Sequence, residues 1–286
     1  MALKLSLVLI LSIIILACSK NSTNPKDNDD NDPPPDTTNT WQLVWSDEFN
    51  YSGLPDSTKW NYDIGGHGWG NQELQYYEEK RIENSRVENG RLIIQARKES
   101  WKDGSQYTSA RMVSRDKGDW LYGRFEIRAK LPSGRGTWPA IWMLPSRWNY
   151  GSGGWPDNGE IDIMEHVGYD MGNIHGSIHT NQYNHSIGTQ KSGSIQIQDV
   201  STNFHDYILE WYPDSMHFYV DETRYFTFNN EGTGWPVWPF DNQFHLILNT
   251  AVGGTWGGAQ GVDDSIFPQK MEIDYVRVYS KTNYFD

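Results

Sequence analysis

The sequence predicts an all-β fold, two sheets packed face to face as a jelly-roll sandwich whose concave face can hold an extended ligand. Three observations predict it. Short apolar runs alternate with polar residues at a period of two, turns marked by Gly, Pro and Asn separate them, and no helical periodicity persists over a dozen residues. Many short strands without helices suit a sandwich, because each sheet has one apolar face that must be covered by another sheet.

The elements follow in order. MALKLSLVLILSIIILA, residues 1–17, carries Lys4 and then an apolar run too short for a comfortable membrane span, so it reads as a signal peptide and the protein as exported. Ile15-Leu16-Ala17-Cys18 resembles a bacterial lipobox, which implies a lipid anchor at Cys18, although Leu16 is bulky for that motif and a plain signal peptide is the alternative. Cys18 is the only cysteine, so no intramolecular disulfide can form. Residues 18–40, running through KNSTNPKDNDDNDPPPDTTNT, have almost nothing to bury and read as an acidic, Pro-rich disordered tether. Neither a repeat nor a second linker follows, so residues 41–286 read as one domain.

Within that domain, SRVENGRLIIQARKE pairs two runs around Asn89-Gly90, a dipeptide that tolerates the positive φ of a tight hairpin. YGRFEIRAKLP alternates Phe125, Ile127, Ala129 and Leu131 with Glu126, Arg128 and Lys130, one dry face and one wet. YILEWYPDSMHFYVDETRYFTF reads as three strands joined at Pro213-Asp214 and Asp221-Glu222, and HLILNTAVGG and KMEIDYVRVYS supply two more.

The formal net charge of −13 opposes a nucleic-acid partner, which would need clustered Lys and Arg. A neutral ligand fits better. The 14 Trp and 16 Tyr must mostly fill the core, but a few amphipathic rings can cover the apolar face of a sugar.

The chemistry lies in GEIDIMEHVG, residues 159–168. Strand side chains alternate, so Glu160 and Asp162 share a face while Glu165, five positions after Glu160, falls on the other. A β-bulge between Asp162 and Glu165 would return Glu165 to the face of the other two. Two glutamates there, leaning together to a carboxyl gap of about 5 to 5.5 Å, suit a retaining glycosidase. Asp162 between them would raise the proton affinity of a neighbour, keeping one Glu protonated while the other is ionised. The same residues also suit an edge strand whose acids are merely solvated. Ile161, Ile163 and Met164 favour a strand packed on the core.

GEIDIMEHVG, GTWPAIWMLP, WSDEFN, WGNQELQYY and YGRFEIRAKLP, in content and order, resemble the laminarinase branch of glycoside hydrolase family 16 from about Trp41 to Tyr279. The resemblance implies a concanavalin-like β-jelly roll and a retaining endo-hydrolase of β-glucans or some marine galactans. It implies Glu160 as nucleophile, Glu165 as general acid/base and Asp162 as the residue that tunes and orients Glu160. Met164 is the extra residue that separates this E-x-D-x-x-E motif from the E-x-D-x-E of shorter mixed-linkage lichenases.

Trp138 and Trp142, four apart on a strand and about 13 Å from each other, read either as core residues or as platforms for more than one sugar unit, and the resemblance implies the second. Trp155 and Trp256, in Gly-rich loops, are further platform candidates. Asn71 and Arg111 match positions that bind sugar hydroxyls in the family, with a loop anchor and an ion-pair partner as their local alternatives. His179 is expected to contact substrate or Glu165. It shares a strand face with His175, too far away to chelate one ion with it unless the strand bends, and His166 is expected to pack inward.

No cofactor is expected for catalysis. The resemblance implies a structural calcium on the convex side, held by Glu48, the Gly90 carbonyl and Asp274. The expected substrate is laminarin and mixed-linkage glucan, and the expected state a monomer. A sugar-binding jelly roll without turnover, a galactanase and a transglycosylase are the alternatives, although a strongly acidic chain is a poor host for sulfated galactan.

Overall fold

A computed structural model describes residues 40–284. The signal peptide, Cys18 and all of the tether but Thr40 lie outside the described residues.

Eighteen strands follow one another, with three single-turn 3₁₀ segments among the described residues. They are β1 (Gln42–Asp47), β2 (Asn61–Tyr62), β3 (Gln75–Tyr77), β4 (Ser85–Glu88), β5 (Arg91–Lys98), β6 (Tyr107–Ser109), β7 (Arg111–Val113), β8 (Asp119–Trp120) and β9 (Gly123–Lys130). The second half holds β10 (Thr137–Pro145), β11 (Glu160–Glu165), β12 (Asn173–His179), β13 (Lys191–Gln196), β14 (His205–Trp211), β15 (Ser215–Val220), β16 (Thr223–Asn229), β17 (Phe244–Val252) and β18 (Gln269–Ser280).

One sheet runs β16-β15-β14-β9-β18-β5-β6-β3, with β1 also on β18 and β4 also on β5. The other runs β13-β12-β11-β10-β17-β7-β2, with β8 also on β17. A large apolar cluster joins them, with Phe125 and Ile127 of β9, Leu209 and Trp211 of β14 and Val276 of β18 on one side. Ile141 and Met143 of β10, Ile161, Ile163 and Met164 of β11 and Leu246 and Leu248 of β17 come from the other. Burying each Phe or Ile contributes about 1.5–3 kcal/mol, which is why these positions fix the sandwich.

Local signals in the sequence produce these strands. In β9 buried and half-buried residues alternate without a break, as its period of two requires. Asn89 and Gly90 close the β4–β5 hairpin at φ 54° and 72°, the left-handed pair that matches strand twist. Asp221, at φ 53°, turns β15 into β16.

The strand that matters most is β11. Glu160 pairs with His179 of β12, Ile161 with Ile178 and Asp162 with Ser177, and then the register slips so that Glu165 pairs with His175. Ile163 and Met164 together oppose Gly176, which is a β-bulge where the acid spacing demands one. Both bulged side chains are fully buried. The odd phase of Glu165 is thereby absorbed.

Gly176 is small for a reason. A Cβ there would stand 2.6 Å from the Tyr225 hydroxyl and 3.1 Å from Phe218, and that hydroxyl donates to the Ile163 carbonyl at 3.3 Å. Gly176→Ala is therefore expected to destabilise the fold by about 1–3 kcal/mol through overpacking against the bulge. Urea denaturation checks this, and an unchanged midpoint would show that the bulge does not need the space.

Candidate active site

The outer face of the β12-β11-β10-β17-β7 layer forms the floor of a groove enclosing about 850 Å³. Glu160, Asp162 and Glu165 all line it, together with Trp138, Trp142, Trp155, Trp256, Asn71, Arg111 and His179. Every cleft residue expected from the sequence is thus brought to one place.

The three acids differ in their partners. Trp155 donates its indole N–H to Glu160 Oε2 at 3.1 Å, and Trp138 donates to Glu165 Oε1 at 3.0 Å. Asp162 is only 3% exposed. Burial pushes all three carboxyls well above the usual carboxylate range. The Asp162 charge adds to the rise at Glu160 and Glu165; His179 opposes it at both, the Trp138 bond opposes it at Glu165, and all three groups are held up to about 8. Three like groups this close titrate as a set, so one proton is readily retained among them while another group ionises.

His179 sits elsewhere than beside Glu165. Because Glu160 and His179 are cross-strand neighbours, its Nε2 lies 3.2 Å from Asp162 Oδ2 and 3.7 Å from Glu160 Oε1. The histidine opposite Glu165 is His175, whose ring meets Trp256 edge-on at 5.1 Å. His166 packs inward as expected, fully buried, its Nε2 accepting from the Gly172 N–H at 3.0 Å.

The two tryptophans of β10 do different things. Trp138 is 9% exposed and meets Trp256 edge-on at 5.5 Å, so it braces Glu165 more than it offers a flat face. Trp142 is more open; its N–H bonds to Asn249 Oδ1 at 2.7 Å and the Arg111 guanidinium lies 4.6 Å from its ring centre. Arg111 also covers Trp69 at 4.7 Å and pairs with Asp63 at 3.1 Å, so the ion-pair role exists alongside its place in the groove. Asn71 is both loop anchor and groove residue, since its carbonyl accepts from the Thr255 N–H at 2.7 Å.

Other groove residues escaped the sequence reading. Glu73 accepts from Gln75 Nε2 at 2.6 Å and from the Tyr77 hydroxyl at 3.2 Å, Tyr77 accepts from Asn249 Nδ2 at 3.0 Å, and Asn249 accepts from Trp142. The indole can only donate and the carboxylate only accept, so this chain of bonds has one direction and fixes the Asn249 amide. Asn249 was findable, as a lone amide in the apolar run HLILNTAV. Glu73, His67 and Trp148 come from connecting segments and His185 from a 3₁₀ turn, where no period marks them.

Of the expected calcium donors, Glu48 and Asp274 both lie beside arginines. Glu48 takes Arg277 Nε at 2.9 Å and Nη2 at 2.8 Å on its two oxygens, and Asp274 lies 3.6 Å from Arg128 Nε. Gly90 is in the β4–β5 turn. A calcium held by the Glu48 side chain would compete there with the Arg277 guanidinium.

A jelly-roll groove walled by tryptophans, with two glutamates flanking an aspartate on its floor, defines a protein built to act on a polysaccharide chain. Residues 72–277 match the sequence profile of Glycosyl hydrolases family 16, and the chain belongs to that family. A beta-glucanase from Rhodothermus marinus is 62% identical over 244 residues, covering 84% of this chain and 85% of its own. The X-ray structure of the laminarinase from Rhodothermus marinus overlays with a TM-score of 0.84 at 60% identity, covering 85% of this chain and 99% of that one. A non-specific endo-beta-1,3(4)-glucanase of the same family, solved with 1,3-beta-D-cellobiosyl-glucose at its active site, overlays with a TM-score of 0.81 at 50% identity, covering 85% of this chain and 96% of its own.

Proposed function

We propose that this protein is an endo-β-glucanase that hydrolyses internal β-1,3 bonds of laminarin and β-1,3-1,4 mixed-linkage glucans with retention of configuration. The observation that carries the reading is the bulge in β11, which sets Glu160, Asp162 and Glu165 on one groove floor. The named activities of the relatives support the substrate class.

Each residue's role follows from its chemistry. Glu165 enters protonated and gives its proton to the glycosidic oxygen as the bond to the anomeric carbon breaks. Glu160 enters ionised and bonds to that carbon, giving a glycosyl-enzyme. Trp155 holds its Oε2, which leaves Oε1, 3.7 Å from His179 Nε2, as the attacking oxygen. In the second step Glu165 takes a proton from water, the water oxygen bonds to the anomeric carbon and Glu160 leaves. Asp162 supplies a negative charge that raises the proton affinity of both glutamates, so that the set holds a proton for the first step.

Asp162→Asn removes a charge that raises the proton affinity of both glutamates. The pH profile of kcat/KM should therefore move bodily to lower pH, its alkaline limb falling earlier than in the parent as Glu165 loses its proton more readily. An alkaline limb that stays in place would show that Asp162 carries no charge in the active form.

The reading is tested by linkage analysis of products from laminarin, lichenan and agarose. Short β-1,3-containing glucan oligosaccharides from the first two support it; release from agarose alone, or from none, removes it. We place the protein outside the cytoplasm as a monomer, with the chain from Cys18 to residue 40 as a tether and Cys18 as its lipid attachment, a reading drawn from the leader sequence. A structural calcium belongs to the proposal only as a cation that displaces Arg277 from Glu48.

A further inference from the structure

We infer that Glu160, Asp162 and His179 form a binding site for a divalent transition cation of the zinc class, and that such a cation is a reversible inhibitor acting at the floor of the groove. One nitrogen of His179 and one oxygen each of Glu160 and Asp162 all lie within 4.8 Å of one another. His179 Nε2 is 3.2 Å from Asp162 Oδ2 and 3.7 Å from Glu160 Oε1. Around a tetrahedral ion with bonds of about 2.0–2.1 Å, neighbouring ligand atoms stand about 3.3–3.4 Å apart, so the two edges from His179 lie close to those of a zinc site and small side-chain shifts complete it.

A second observation points to a missing ligand. Asp162 is 3% exposed, and its Oδ2 has no hydrogen-bond partner although Nε2 is at ion-pair distance. The two atoms are close without being aimed at each other, as ligands of a common third atom are. His179, 5% exposed, is equally constrained. Both strands that carry the trio are rigidly paired, Glu160 against His179 and Asp162 against Ser177. One imidazole with two carboxylates suits zinc and its neighbours, whereas magnesium and calcium favour oxygen alone. The three ligands leave a fourth position toward the groove for water.

The inhibitory consequence rests on the proposed hydrolase: a cation held by Glu160 occupies the lone pair that must bond to the anomeric carbon. No bond is made or broken by the ion, and removing it restores the nucleophile.

The test is calorimetric titration of the chelator-treated full chain with ZnCl₂, repeated with Co²⁺ for its visible absorption. One ion per chain is expected, and Asp162→Asn and His179→Gln should each weaken binding at least about tenfold and abolish the Co²⁺ band. Their circular dichroism and melting temperatures confirm that they fold. His205→Gln, whose ring is clasped between Asp199 and Asp221, should bind as the parent does. Zn²⁺ should suppress laminarin hydrolysis over the same concentration range and EDTA should restore it. Failure to bind Zn²⁺, or binding that survives both groove variants or is lost with His205→Gln, overturns the site. Binding without inhibition overturns the regulatory half. Should the protein not hydrolyse laminarin at all, the titration and the Co²⁺ band still decide the metal site, so the two readings fail separately.

Discussion

Glu160→Gln is expected to fold normally and to lose at least about 10⁴-fold in kcat/KM on laminarin, equivalent to about 5.5 kcal/mol of transition-state stabilisation. The amide has the shape of the carboxyl but cannot displace a sugar to form a stable glycosyl-enzyme. Stability should hold, because the charges of Asp162 and Glu165 both oppose ionisation of Glu160, and its neutralisation relieves that repulsion. Trp155 keeps an oxygen to donate to, since the Gln carbonyl can stand where Oε2 stood. Melting temperature and steady-state kinetics check both halves. Activity within tenfold of the parent would remove Glu160 from the role of nucleophile.

Glu165→Ala is expected to lose about 10²–10⁴-fold on laminarin, the range of a lost general acid. The loss should shrink on an aryl glycoside, whose leaving group departs without a proton. It should shrink further with azide, an anion that replaces water and needs no base. With Glu160 intact the azide attacks the glycosyl-enzyme, and two displacements give the β-glycosyl azide. In Glu160→Ala the azide would attack the substrate directly and give the α product. Product configuration by NMR separates the roles; an α azide from Glu165→Ala would mean that the two glutamates have been exchanged.

Much of this was legible before any coordinates, and the reason is periodicity. In β9 the alternation of Phe125, Ile127 and Ala129 with charged residues fixes which face is dry. In β11 the broken alternation is itself the signal: an acid out of phase between buried neighbours is tolerable only if the strand bulges. The partner of His179 was not legible, because cross-strand register follows from turn length and from the bulge, and these place it against Glu160 and Asp162. The same limit applies to Trp138, where alternation gave the face but not the crowding by Trp256 that leaves mainly its N–H for Glu165. Glu73 stood in a quoted motif, yet nothing local says that a loop glutamate will end a chain of hydrogen bonds beginning at Trp142.

The central claim is that Glu160 and Glu165 face one bound chain closely enough for double displacement. The anomeric configuration of the first product tests it most directly, followed by proton NMR of laminarin during the opening minutes of hydrolysis, before mutarotation mixes the forms. New reducing ends in the β configuration, later converting to α, are predicted; α ends appearing first would mean single displacement and would contradict the account.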